Sequence, residues 1–97
     1  MNYDAIRHAR LLISSQSRMI PLDQHDQDWI AWFIMGLDTE LDAVQKGLAT
    51  VRDADGHTPH DRINGRFFGA YLSLHDAELH ELVHTQWLLL RDKGALP

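Results

Sequence analysis

Histidines stand at positions 80 and 84 and a glutamate at 81, in the run His80-Glu81-Leu82-Val83-His84. On a helix, side chains four apart share a face. Two imidazoles at this spacing can hold one Zn²⁺ while the glutamate activates a bound water. Glu81-x-x-His84 also supplies half of a di-iron site of the kind built inside four-helix carboxylate proteins. Both chemistries need further ligands. A catalytic zinc takes a third protein ligand. Of the 13 residues after His84 only Asp92 is Asp, Glu or His, so His25 or Asp28 would have to reach in from upstream. The di-iron site needs a second Glu-x-x-His and two more glutamates, but the only others are Glu40 and Glu78.

The H-E-x-x-H run resembles the zinc-binding helix of metallopeptidases. The resemblance covers five residues of 97. It implies His80 and His84 as metal ligands and Glu81 as general base, with a cleft and an edge strand for substrate. No strand pattern is present. At about 3.6 residues per turn, His80 and His84 fall roughly 100° and 140° from Leu79, on the flank of their helix. Seven histidines in the chain make a chance match easy. We therefore expect flank histidines, no catalytic residue and no cofactor. A zinc-dependent hydrolase using His80, Glu81 and His84 is the alternative.

Other polar groups have simpler readings. Asp53-Ala54-Asp55-Gly56-His57 could attract a cation, but Asn64 stands where an EF-hand loop needs a bidentate glutamate, so turn and cap roles are expected. His75 falls on an apolar seam, and we expect a partly buried histidine paired with a polar group of the second helix. Arg62 and Arg66 could supply anion contacts in a small-ligand or nucleotide-binding oligomer, a second alternative. There is no nucleophile elbow, glycine-rich phosphate loop or Cys/His dyad.

The elements that position these residues follow from apolar spacing and stop signals. Ile6, Ala9, Ile13 and Ile20 form one stripe, with Asn2 a plausible N-cap and Pro21 a stop. Helix 1 is expected over about 3–19. Asp23 caps helix 2, and Asp26 stands three residues on. Ile30, Ile34, Leu37, Leu41, Val44, Leu48 and Val51 then repeat at spacings of 4 and 3, a heptad seam that predicts one helix over about 24–52. After the Asp55-Gly56 turn, Thr58, Pro59 and Asp61 make a helix start, and Gly94 makes a helix stop. Helix 3 is expected over about 59–93, with Phe68, Leu72, His75, Leu79, Leu82, Gln86 and Leu89 as its seam. The predicted architecture is all-α: one domain over 1–97, with a short helix 1 packed on the open end of a long antiparallel hairpin.

This arrangement leaves apolar residues over. Ile63, Phe67, Tyr71 and Leu74 form a second stripe beyond the reach of helix 1. Trp32 and Met35 belong to the nearly all-apolar start of helix 2. Exposed stripes of this kind mark interaction surfaces, so these six are the candidate interface residues.

Composition narrows the function classes. The chain has 14 acidic and 9 basic residues, a net charge of −5. Nucleic-acid binders show a basic stripe, and none is present. Arg7, Arg10 and Arg18 of helix 1 are expected to pair across the helix edges with the acidic middle of the chain, Asp23, Asp26, Asp28, Asp38, Glu40 and Asp42. No apolar run approaches the roughly 20 residues that cross a bilayer. Neither a membrane association nor a signal peptide is expected, and the absence of cysteine fits a reducing, cytoplasmic setting. The function expected is that of a small acidic interaction module, self-associating, that regulates or inhibits a partner protein. Small size, acidity and lack of catalytic machinery also describe phage-encoded inhibitors of host defence such as anti-CRISPR proteins.

Overall fold

The computed structural model describes residues 3–97, so the expected cap at Asn2 lies outside the described residues. The described residues form four helices: α1 Tyr3–Ser17, α2 Gln24–Gln45, α3 Pro59–Ser73 and α4 Ala77–Asp92. α2 packs on α1 and α3, and α4 packs on the same two. The four helices thus close into a ring around a core that includes Ile6, Ile13, Phe33, Leu37, Phe67 and Leu79. Phe33 meets Phe67 edge to face at 4.9 Å in the α2–α3 seam. Fully burying side chains of this size contributes roughly 1.5–3 kcal/mol each. Among the described residues, no helix is long and apolar enough to cross a membrane.

The all-helical class is as expected, but the three-helix architecture is not. Helix 2 ends at Gln45 rather than near residue 52. Gly47 has φ +87°. Its N–H bonds Val44 O, and the Leu48 N–H bonds Ala43 O. These are the two crossed bonds of a Schellman stop, which needs a residue in the left-handed region. Leu48 and Val51, read as the end of the heptad seam, lie exposed in the following loop.

Helix 3 is two helices. The chain leaves the helical path at Leu74, with ψ 132°, and re-enters after Asp76, with ψ 125°. A continuous helix would direct the His75 and Asp76 amides to Tyr71 O and Leu72 O. Both amides turn instead to the Asp26 carboxylate, at 3.1 and 2.7 Å. His80 Nε2 donates to Tyr71 O at 2.9 Å. Asp76 then caps α4 by accepting the Leu79 N–H. Every polar group freed at residues 71 and 75–76 named here thus has a partner, which lets the break stand.

The break also resets the helix phase. The inward stripe of α3 is Ile63, Phe67, Ala70 and Leu74, and that of α4 contains Leu79, Val83 and Leu90. Phe68, Leu72 and His75, expected in the hairpin core, face outward. In helix 1 Ile6, Ala9, Ile13 and Ile20 are buried as expected, and Arg10 forms a two-pronged pair with Asp38 of α2, both bonds 2.8 Å, whereas Arg7 pairs with Asp4 of its own helix. Thr58 and Asp61 form a reciprocal capping box at the start of α3, with Pro59 in its first turn.

Candidate interaction surface and the placement of the histidines

Ile63, Phe67 and Leu74 were expected on an exposed stripe, but the core buries all three. Their side chains are taken up by packing within the chain. Tyr71, the fourth member, lies at the edge and is 37% exposed. The apolar surface that remains open lies on the opposite side of α3. Gly65, Phe68, Gly69 and Leu72 share that outer face at spacings of 3 and 4. Phe68 is 51% exposed and Leu72 66%.

Aromatic residues of the neighbouring helices border this face. On the α2 side, Trp29 and Trp32 meet edge to face at 4.9 Å, and the Trp29 ring lies 3.9 Å from where a Cβ on Gly69 would stand. Trp32, a candidate interface residue, is 44% exposed. With Trp29 and Asp28 it bounds an open depression of about 360 Å³. On the α4 side, Trp87 lies 6.1 Å from Phe68 and 6.0 Å from Tyr71 between ring centres. Its Nε1 donates to Asn64 Oδ1 at 2.9 Å, which fixes the ring against α3. From Phe67 through Leu74 the sequence carries no charged residue. Met35, the remaining candidate, is also exposed, but it lines the separate groove between α1 and α2 with Ser14 and Arg18.

Arg66 crosses from α3 to α2 at one end of the face. Its guanidinium carbon stands 4.4 Å from the centre of the Trp32 ring, and the head lies against Gly36, where a methyl group would overlap it. Its Nε and Nη1 are buried with no hydrogen-bond partner among the described residues. Cation–π attraction of about 0.5–2 kcal/mol offsets only part of that desolvation. Arg62, paired with Arg66 in the expected anion site, is engaged elsewhere. It binds the buried carboxylate of Glu40 and also Asp53 Oδ2, and these bonds hold its guanidinium firmly charged. The two guanidinium groups thus have different partners, carboxylates for Arg62 and the Trp32 ring for Arg66.

The histidines of the H-E-x-x-H run have structural partners. His80 caps the end of α3 through Tyr71 O, and both His80 and His84 lie 4.8 Å from the Tyr71 ring. Glu81 is exposed. Among the described residues, His80 and His84 do not join a third His, Asp or Glu in a metal-sized cluster. Two such clusters exist elsewhere. Asp53, Asp55 and His57 lie in the α2–α3 loop, where Asp53 Oδ1 accepts the Asp55 and His57 N–H groups in an Asx-type turn. His25, Asp26 and His75 lie where the start of α2 meets the α3–α4 break.

The last cluster centres on Asp26, which is 1% exposed. Burial pushes its carboxyl pKa up. The amides of Asp76 and His75 and the His25 ring outweigh that push, so the carboxyl titrates below its ordinary range. An ionised carboxylate only accepts, so His25 Nδ1, 2.8 Å from Asp26 Oδ1, carries the proton between them. The His25 and His75 rings stack at 3.9 Å, 3° from parallel. His75 does pair with a polar group of helix 2, through its backbone, but its side chain is exposed and not in the core. The break was visible in part: Asp76 stands three residues before Leu79, the spacing of an N-cap. The role of Asp26 was not, because it had an adequate local role beside Asp23. No family model matches the chain, and no curated protein or solved structure is significantly similar to it.

Proposed function

We propose that this chain is a non-enzymatic protein-interaction module that docks through the outer face of α3, with a second copy of itself as the first partner. The observation that carries this reading is the uncharged, aromatic-bordered face formed by Phe68 and Leu72 between Trp32 and Trp87. Large exposed apolar side chains grouped this way are characteristic of interfaces, with tryptophan and tyrosine as frequent anchors.

Gly65 supports the same reading. A glycine inside a helix costs about 1 kcal/mol relative to alanine. A Cβ at position 65 would meet nothing within 4 Å, so packing within the chain does not require glycine there. A helix from outside could approach α3 closely at that point. Self-association is favoured because the centre of the face, from Phe67 through Leu74, carries no charged residue on a chain of net charge −5. Symmetric pairs are also the commonest soluble oligomers. Regulation or inhibition of another protein, the role expected from the sequence, would use the same face.

Sedimentation velocity over a range of concentrations tests the reading. Wild type is expected to shift to a dimer as concentration rises, and Leu72→Asp is expected to stay monomeric with unchanged helicity. A wild type that is monomeric throughout and sediments like the variant rejects self-association through this face.

A further inference from the structure

We propose that His25 and His75 form a two-imidazole site for a divalent transition-metal ion of the zinc class, with Asp26 as the carboxylate that orients His25. Nothing in the docking surface requires this site, and its test is independent of oligomeric state.

Three observations carry it. The first is convergence. His25 opens α2 and His75 lies in the α3–α4 break, yet one potential ligand atom from each of His25, Asp26 and His75 lies within 4.8 Å of the others. The second is orientation. A metal-binding histidine commonly gives its other ring N–H to a carboxylate, which fixes the tautomer and raises the basicity of the ligand nitrogen. Asp26 stands in that relation to His25: Nδ1–H is directed at Oδ1, and the Nε2 lone pair is left free for a metal. Asp26 does not itself need to bind the ion. Its oxygens already accept from His25, from the His75 amide and from the Asp76 amide, and the carboxylate is buried.

The third observation is spacing and access. Zinc–nitrogen bonds of about 2.0–2.1 Å at a tetrahedral ion put two ligand nitrogens roughly 3.3–3.4 Å apart. The rings stack parallel at 3.9 Å, so their nitrogen lone pairs lie in parallel planes, and binding one ion requires the exposed His75 ring to turn about χ1 and χ2 until both ring planes meet at the metal. Both side chains are exposed, so an ion can reach them and water can fill its remaining positions. The ion would join the start of α2 to the α3–α4 break, two segments now held together by Asp26.

The site uses neither His80 nor His84, the two ligands that define the H-E-x-x-H reading, and that separates the two experimentally. Isothermal titration of the full chain with ZnCl₂ at pH 7.5 should give one site per chain. His25→Ala and His75→Ala should each weaken binding at least tenfold, while His80→Ala leaves it unchanged. Both substituted rings are exposed, and circular dichroism of each variant checks that the helices are retained. The thermal midpoint of wild type should rise with zinc concentration, because an ion that binds only the folded chain stabilises it by mass action. That rise should be absent in His75→Ala. Absence of zinc binding, binding that survives His75→Ala, or binding lost in His80→Ala would each overturn the proposal.

Discussion

The Asp26 carboxylate, in the first turn of α2, accepts the backbone N–H of His75, 49 residues further along the chain. The same carboxylate accepts the Asp76 N–H at 2.7 Å. One buried side chain thus replaces two helical carbonyls and separates α3 from α4. The separation gives each helix its own phase, and that phase decides which α3 residues are core and which are surface.

Asp26→Ala should destabilise the fold by about 2–4 kcal/mol, because it leaves two amides at the break without their acceptor. The urea midpoint should fall. The amide exchange rates of His75 and Asp76 should rise more than those of the α1 interior. A loss below about 0.5 kcal/mol would show that the break does not depend on this carboxylate.

Acid should act through the same group. The folded-state pKa of Asp26 lies below its unfolded value. Its contribution is therefore fully present above the ordinary carboxylate pKa of about 3.9 and is lost as pH falls through the lower folded value. Asp53 and Asp61 are shifted in the same direction by hydrogen bonds from the His57 backbone and from Thr58, but their greater exposure makes them lesser contributors. Stability curves of wild type and Asp26→Asn should converge below about pH 4 and separate above it. Parallel curves would assign the acid sensitivity to other groups.

The reversed phase of α3 can be checked with paired substitutions. Phe67→Ala should cost about 3–5 kcal/mol, since its ring fills the seam against Phe33. Phe68→Ala, one position along, should change monomer stability by less than about 1 kcal/mol. Equal losses at the two positions, read from urea unfolding at a concentration where the chain is monomeric, would contradict the observed faces.

Much of this fold is written in local sequence. Ile6, Ala9 and Ile13 are legible because one helix face carries them. Thr58, Pro59, Asp61 and Gly94 are legible because caps act within a few residues. Gly47 could have been read as a stop, since Lys46-Gly47 is a helix-ending pair, but the apolar residues Leu48 and Val51 extended the apparent seam past it. The α3–α4 break is a different case. Phe68, Leu72, His75 and Leu79 keep helical spacing across it, and the group that diverts the chain lies on another helix. The error at Ile63 and Phe67 followed from the missing break: two stripes competed for one core, and the wrong stripe was placed inside. The histidine cluster was hidden for the same reason, since His25 and His75 become neighbours only once Asp26 has turned the chain.

Gly36→Ala tests the Arg66 contact. The added methyl would overlap the guanidinium, which sits at the end of a flexible side chain and can swing into solvent. Helix propensity then gains about 1 kcal/mol and the unpartnered nitrogens regain water, against a lost cation–π contact of about 0.5–2 kcal/mol. The variant should be as stable as wild type or slightly more so, with altered Trp32 fluorescence. A loss above about 1 kcal/mol would mean that Arg66 is held in place by more than the Trp32 ring.

The docking face is tested most directly by cross-linking, because the chain has no cysteine. In a symmetric pair, a residue near the two-fold axis faces its own copy. The Leu72→Cys variant should form a disulfide-linked dimer under mild oxidation. The Leu11→Cys variant, at an equally exposed position on α1, should remain monomeric. Dimer from the Leu11 variant but not the Leu72 variant, or equal yields from both, would contradict docking through the outer face of α3.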